Sequence, residues 1–175
     1  MPDQENSMPT PIQTLLLKRN DWVPNNPRLP VLIYPQAIEL QGNDPAALFE
    51  HTFSANGWPP QWRYGIYDFH HYHTEGHEVL GVAAGRAELM LGGPDGQVVQ
   101  VSAGDVLLLP AGTGHCNLSC SEDFLVVGAY PPGQHADICR EAPSHQQLET
   151  IAKLPFPQTD PVQGMQGAVS QYWRE

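Results

Sequence analysis

The stretch that decides the fold is residues 65–85, which read GIYDFHHYHTEGHEVLGVAAG. Alternate residues of a β-strand face the same side, so His71 and His73 are predicted to project together. Glu78 lies beyond His73 at a position that needs a turn to rejoin that side, and Gly76 permits such a turn. Imidazole is a common metal ligand near neutral pH, and two imidazoles on one face supply two corners of a site.

A second stretch, residues 104–115, reads GDVLLLPAGTGH and ends in a further histidine. His115 follows the turn Pro110–Gly114 and begins a predicted strand, from which it can supply a third imidazole across a barrel. Three neutral imidazoles and one carboxylate leave a divalent ion with net positive charge and open coordination positions. The predicted site suits Fe, Mn, Ni, Co or Zn, and its ligands are His71, His73, Glu78 and His115.

Both stretches resemble the two sequence motifs of the cupin family. The matching positions are Gly65, His71, His73, Glu78 and Gly85 in the first motif, and Gly104, Pro110, Gly112 and His115 in the second. The second motif normally closes with Asn where this chain has Ser119, so the last position departs from the pattern. The resemblance implies an all-β jelly-roll barrel (a double-stranded β-helix, also termed RmlC-like) with one or two short peripheral helices and a metal inside the barrel.

The likeness extends beyond the motifs. Phrases such as NGWPPQWRYGIYDFHHYH, HEVLGV and DFLVVGAYPPGQ look like those of the uncharacterised bacterial single-cupin proteins of the YjlB type, over residues 15–173. No settled reaction comes with that resemblance. It therefore implies a fold and a metal site and leaves the activity open.

Composition excludes several classes of protein. The formal net charge of the 175 residues is −11, and no run of Lys and Arg offers the phosphate contacts that nucleic-acid binding needs. No apolar run approaches the roughly 18 residues of a membrane span, and residues 1–10 lack the pattern of a secretory signal. Three cysteines without a C-x-x-C pair favour a reduced, cytoplasmic chain. The 16 glycines and 18 prolines favour many short strands joined by turns.

The chain is predicted to form one barrel with additions at both ends. The expected segments are a flexible N-terminus (1–12), N-terminal strands and a helix packed on the barrel (13–61), the barrel core (62–132) and a C-terminal wrap (133–175). Helices are predicted over 44–54 and 144–153. Strands are predicted at Thr14–Lys18, Val31–Tyr34, Trp62–His73, Glu78–Ala84, Ala87–Leu91, Gln97–Val101, Val106–Leu109, His115–Leu118 and Phe124–Tyr130.

Parity along the long strand Trp62–His73 also predicts the walls of a substrate pocket. Arg63, Tyr67 and Phe69 fall on the side of the two ligand histidines. Arg63 is a candidate for pairing with a substrate carboxylate, and Tyr67 for donating a hydrogen bond or a proton. The alternative is that Tyr67 and Phe69 only fill the barrel. Asn117 shares a face with the third histidine and is a further polar candidate.

The histidines next to the predicted ligands admit two interpretations. His77 precedes Glu78, so it is an additional or alternative ligand, or else a strand-edge residue that faces outward, which is the preferred interpretation. His70 faces away from His71 by parity and is expected to be structural.

These observations support two hypotheses of different class. The leading one is a metal-dependent enzyme, of dioxygenase or isomerase type, acting on a small polar or carboxylate-bearing molecule. The alternative is a non-catalytic cupin that binds a small ligand or a metal, because no general base stands out apart from the ligands. A homodimer is also expected. A third hypothesis is an interaction module in which the barrel mainly dimerises, and an edge strand near the N-terminus that swaps or pairs between subunits would favour it.

Overall fold

The structure is a computed structural model that describes residues 11–174. Within these residues, two antiparallel sheets pack against each other and three short helices lie outside them. The predicted flexible segment 1–12 falls outside the described residues except for Pro11 and Ile12. No helix in the described part of the chain is both long enough and apolar enough to cross a bilayer.

The elements follow one another in a simple order. The strands are β1 (Gln13–Leu15), β2 (Val31–Tyr34), β3 (Pro60–Tyr64), β4 (Glu78–Ala84), β5 (Arg86–Leu91), β6 (Gln97–Ser102), β7 (Val106–Leu109), β8 (His115–Cys120) and β9 (Leu125–Ala129). The helices are α1 (Pro45–Ala55), α2 (His145–Lys153) and α3 (Ala168–Tyr172). The larger sheet has the order β1-β2-β7-β4-β9-β3, and the smaller sheet the order β6-β5-β8. The predicted all-β architecture is therefore confirmed.

The central strands of the larger sheet are buried on both faces. Leu107 belongs to a hydrophobic cluster between the two sheets, whereas its neighbour Leu108 belongs to a second cluster that contains Phe49 of α1. This double burial explains why all four residues of β7 are apolar and buried, without the alternation of a strand that faces water. Phe49 also approaches Gly81 of β4 so closely that a Cβ atom there would overlap its ring.

The single strand predicted over Trp62–His73 is wrong. β3 ends at Tyr64, where it pairs with β9 at the edge of the larger sheet, and the chain then crosses to the smaller sheet. There His71 N donates to His115 O (3.2 Å) and His115 N donates to His71 O (2.9 Å), forming an isolated bridge beside β8. The hydrogen-bond ladder is therefore interrupted where the chain passes from one sheet to the other.

The other predicted elements are present, most of them with small shifts at their ends. Strands Val31–Tyr34, Glu78–Ala84 and Val106–Leu109 are confirmed at their predicted bounds. The first strand is displaced, because it covers Gln13–Leu15 where Thr14–Lys18 was predicted.

Both predicted helices are present, but only the second begins with a side-chain cap, because the Asp44 side chain at the start of the first binds Arg63 instead. Pro45 opens α1, as its fixed φ angle favours. At the start of α2, the Ser144 hydroxyl accepts from Gln147 N, and the Gln147 side chain accepts from Ser144 N, which is a capping box. The five-residue helix α3 was not predicted, because its short sequence lacks both a capping side chain and a helical apolar period.

Candidate metal centre

Four buried side chains converge inside the barrel from three parts of the chain. His71 and His73 come from the crossing segment, Glu78 opens β4, and His115 opens β8. The three histidines each offer a nitrogen within 4.8 Å of the other two. Glu78 Oε1 lies 3.2 Å from His73 Nε2 and 3.3 Å from His115 Nε2. The structure thus brings together all four residues that the sequence predicts as ligands.

The orientation of each imidazole is fixed from behind by the backbone. The Nδ1 atoms lie close to carbonyl oxygens, namely Phe69 O for His71 (2.9 Å), Asp137 O for His73 (2.5 Å) and Thr113 O for His115 (3.0 Å). A carbonyl oxygen only accepts, so each Nδ1 donates, and Nε2 is the nitrogen that each ring in its neutral form can offer to a metal. Histidine ligands of metals are held in this way, and the residues therefore fit a divalent transition metal.

Glu78 is held by a chain of two further side chains. Its second oxygen, Oε2, accepts a hydrogen bond from the Tyr130 hydroxyl (2.8 Å), and that hydroxyl accepts one from Trp62 Nε1 (2.8 Å). Trp62 reaches this position because it lies directly over Gly128, where a Cβ atom would overlap the indole ring. One carboxylate oxygen is thus fixed by the protein, and the other faces the histidines.

The charges of the site are strongly coupled. Burial opposes ionisation of Glu78, but His73 and His115 hold the pKa of its carboxyl well below the usual range. Burial likewise disfavours a charged His73, yet the Glu78 carboxylate raises the pKa of His73 above its ordinary value. For His71, burial and then the neighbouring His115 lower the pKa to about 3. In the metal-free site the buried carboxylate therefore favours the protonated form of His73.

A segment near the C-terminus, the strap (residues 134–141), closes against the ligand-bearing segment. The carboxylate of Asp137 accepts hydrogen bonds from Thr74 N (2.8 Å), the Thr74 hydroxyl (2.6 Å) and Glu75 N (3.0 Å). These bonds keep the Asp137 carbonyl in place behind His73. Asp137 is therefore a positioning residue for one ligand, although it does not face the cavity.

Of the four residues predicted to form the pocket, two line a cavity and two do not. Arg63 and Tyr67 line a cavity of about 540 Å³ above the ligands, whereas Phe69 and Asn117 are not among its lining residues. Phe69 stacks on Tyr67 with ring centroids 4.9 Å apart. Asn117 donates its backbone N–H to Tyr67 O (2.9 Å) and so ties β8 to the crossing segment.

Arg63 is already occupied by two carboxylates of the chain. Its guanidinium donates to both oxygens of Glu50 (2.7 and 2.9 Å) and to both oxygens of Asp44 (3.1 and 3.3 Å). A substrate carboxylate would have to compete with these bidentate pairs. The role predicted for Arg63 therefore stays a prediction, and this geometry does not favour it.

His77 is buried, and the interpretation that it faces outward is wrong. Its Nδ1 accepts from Ala111 N (3.0 Å), and its ring lies 4.9 Å from that of Trp173 near the end of the described chain. Burial lowers the pKa of His77 to about 3, so the ring is neutral. The side chain does not belong to the histidine cluster, because it packs between the barrel and the C-terminal segment.

Sequence reasoning missed Tyr130, Trp62 and Asp137 as parts of the site. Tyr130 could have been found, since extending the antiparallel register Val79–Ala129 by one residue places Tyr130 opposite Glu78. Asp137 carries no such signal, because it lies outside every predicted element and acts through a carbonyl oxygen.

Comparisons with known proteins agree with this geometry. The family described as Cupin domain (Cupin_2) matches residues 62–127. The Bacillus subtilis (strain 168) protein named "Uncharacterized protein YjlB" is 32% identical over 163 residues, covering 92% of this chain and 96% of that protein.

Two solved structures are also similar to the chain. One is an uncharacterized conserved protein with a double-stranded β-helix domain from Klebsiella pneumoniae, at 19% identity and a TM-score of 0.36, covering 80% of this chain and 88% of that one. The other is a DUF861 family protein from Thermotoga maritima, at 20% identity and a TM-score of 0.33, covering 51% of this chain and 94% of that one.

The similarity to the Bacillus protein spans nearly the whole of both chains. The Cupin domain match covers β3 to β8 and most of β9, and so includes the four clustered side chains. The chain therefore belongs to the cupin family, in the group that includes the Bacillus subtilis protein.

Proposed function

We propose that the protein is a metal-dependent enzyme, of dioxygenase or isomerase type, that acts on a small polar molecule bearing carboxylate or hydroxyl oxygens. The observation that carries the proposal is the orientation of the three imidazoles. Each Nδ1 is occupied by a carbonyl oxygen, and the Nε2 atoms of His73 and His115 lie within 3.3 Å of one Glu78 oxygen. Four side chains are thus arranged for an ion at the base of a cavity.

The ligands would be His71, His73, Glu78 and His115, and the metal would supply Lewis-acid or oxygen-activating chemistry. The chain's own residues prepare the site for this role. Tyr130 fixes the carboxylate oxygen that points away from the histidines, and the Tyr67 hydroxyl offers a hydrogen bond from the cavity wall. Buried apolar residues such as Leu80 restrict water at the base of the cavity.

A non-catalytic binder of a small ligand or metal is the second candidate. Apart from the four ligands, no histidine or carboxylate lines the cavity in the described part of the chain. A proton-transfer reaction that needed a separate general base would have to take it from Tyr67, Tyr64 or Tyr130. The cupin barrel carries both enzymes and binders, so the fold does not decide between them.

Metal analysis of the purified protein tests the metal site first. We expect close to one equivalent of a transition metal, retained after dialysis, and its loss in His73→Ala and Glu78→Ala. His145→Ala is a matched control, because His145 is exposed and contacts only Glu149 on its own helix. Less than about a tenth of an equivalent in the natural protein, unchanged after reconstitution, would remove the basis of the proposal.

Catalysis is tested separately on protein loaded with Fe(II). Oxygen uptake with a panel of small acids and diols is expected for a dioxygenase, and product formation without oxygen uptake for an isomerase. Ligand binding without turnover across the panel would favour the non-catalytic alternative.

A further inference from the structure

We infer that the substrate has two unlike ends: oxygen donors at one end, and a planar, uncharged ring at the other. This inference rests on the proposed function, because the oxygen donors are taken to meet the metal. It is carried by the shape and chemistry of the cavity above the ligands, and it names the class of molecule that the site accepts.

Polarity in the cavity changes with depth. The ligands at its base are buried, with His71 and Glu78 each 3% exposed. Above them the lining is aromatic or aliphatic apart from Arg63, and consists of Trp62, Tyr64, Ile66, Tyr67 and Ile138. Tyr64 and Ile138 are 64% and 49% exposed and so mark the mouth. A ligand that fills the cavity therefore meets polar groups at one end and mostly apolar surface along the rest.

The charged side chains near the cavity disfavour a second acidic group on the ligand. Among the lining residues described, Arg63 is the one cation, and Glu50 and Asp44 both bind its guanidinium. Arg140, on the strap, is turned elsewhere, since its guanidinium lies 3.8 Å from the centre of the Phe69 ring. A carboxylate placed near the mouth would find these cations occupied and two acidic side chains beside Arg63.

The aromatic side chains around Tyr67 form a rigid wall of the cavity, against which a planar ring can pack. Tyr67 stacks on Phe69 (4.9 Å between centroids, 14° between planes) and meets Tyr64 edge-on at 6.2 Å. Its ring also meets the ring of the ligand His71 at 5.4 Å and 75°. Because neighbours on several sides fix its ring, Tyr67 offers apolar surface next to the metal ligands at little entropic cost.

Three hydroxamates that share one metal-binding end provide the test: benzohydroxamate, acetohydroxamate and succinic monohydroxamate. They end in a ring, a methyl group and a carboxylate, respectively. Dissociation constants are measured by calorimetry on the full chain loaded with Co(II), whose visible spectrum reports contact with the metal. We expect benzohydroxamate to bind at least about tenfold more tightly than the other two.

Two variants test whether the side chains around Tyr67 cause the preference for benzohydroxamate. In Tyr67→Ala the preference for benzohydroxamate over acetohydroxamate is expected to fall to about threefold or less, because the probe's ring loses its aromatic partner while the metal-binding end is common to both probes. Ile138→Ala, at the mouth, is a second variant expected to reduce the preference. Tyr172→Ala is the control, because Tyr172 is 38% exposed, against 40% for Tyr67, and lies on α3.

Two results would overturn the inference alone, both on protein that carries a full equivalent of Co(II). One is equal affinity for the ring and methyl probes, and the other is tighter binding of the carboxylate probe. A preference that survives in both wall variants would also overturn it. Protein that holds no metal after reconstitution would instead refute the proposed function, and the inference would fall with it.

Discussion

Within the described residues, the second carboxylate oxygen of Glu78 accepts a hydrogen bond from one group, the hydroxyl of Tyr130. Tyr130→Phe removes this hydroxyl and leaves the aromatic ring unchanged. In the variant Glu78 Oε2 loses its 2.8 Å hydrogen bond, and Trp62 Nε1 loses its acceptor. Both Tyr130 and Glu78 are buried, so the only replacement for the lost partner is water that enters through the cavity. We therefore expect a loss of both stability and metal affinity.

The size of the effect follows from the kind of bond removed. A hydrogen bond to a charged group contributes about 1.5–3 kcal/mol, so metal-free Tyr130→Phe should lose about 2 kcal/mol of unfolding free energy. For a chain of this size that loss corresponds to a decrease in Tm of about 4–8 °C. The freed carboxylate should also weaken metal binding by about 10–100-fold, as removal of such supporting groups does.

Two measurements separate these effects. Calorimetric unfolding of metal-free protein gives the stability change, and competition with a chelator of known affinity gives the metal dissociation constant. Tyr172→Phe is the control, because its hydroxyl makes no hydrogen bond within residues 11–174. Metal affinity within about twofold of the natural protein would refute the reasoning, because it would show that Tyr130 does not support Glu78 as a ligand.

Three further predictions follow from the same structure. His77→Ala should still bind a full equivalent of metal, and a loss of metal would contradict this. Because His77 is a buried packing residue, the variant should lose about 2–3 kcal/mol of unfolding free energy, measured by urea unfolding. Gly128→Ala should lower the unfolding free energy by at least about 1–3 kcal/mol, because the added Cβ displaces Trp62. In Gly65→Ala the added Cβ meets no atom within 4 Å, so the loss in the same assay should be less than about 0.5 kcal/mol. Metal binding should release protons, to an extent that grows as the pH falls below neutral, because the pKa of His73 lies above its ordinary value in the metal-free site and a bound imidazole is neutral. Calorimetry in buffers of different ionisation enthalpy measures the release, and a release that does not grow on acidification would be inconsistent with this.

The sequence predicts the ligands better than the element that carries them. His71 and His73 were paired by strand parity, and they do converge, although the segment is not a regular strand. Parity succeeds because a short extended stretch beside His115 keeps the alternation locally. Beyond the ligands the same argument is only partly right. Arg63 and Tyr67 line the cavity as parity predicts, whereas Phe69 does not, and the chain changes sheets after Tyr64.

The remaining misses share one physical cause. His77 was judged from its neighbours in sequence, but its burial comes from Trp173, which is distant in the chain. Asp137 likewise reaches His73 from 64 residues away, through a carbonyl oxygen that any residue type would provide. Local periodicity cannot reveal contacts made by long connections after the barrel.

The metal site is complete only after the strap has packed against the segment that carries His71 and His73. His73 receives its Nδ1 acceptor only from Asp137, so a nascent chain that has emerged as far as β9 holds all four ligands but lacks one support. Metal captured at that stage would meet an imidazole free to rotate. High-affinity binding therefore requires the strap to be in place, in addition to the barrel that carries the four ligands.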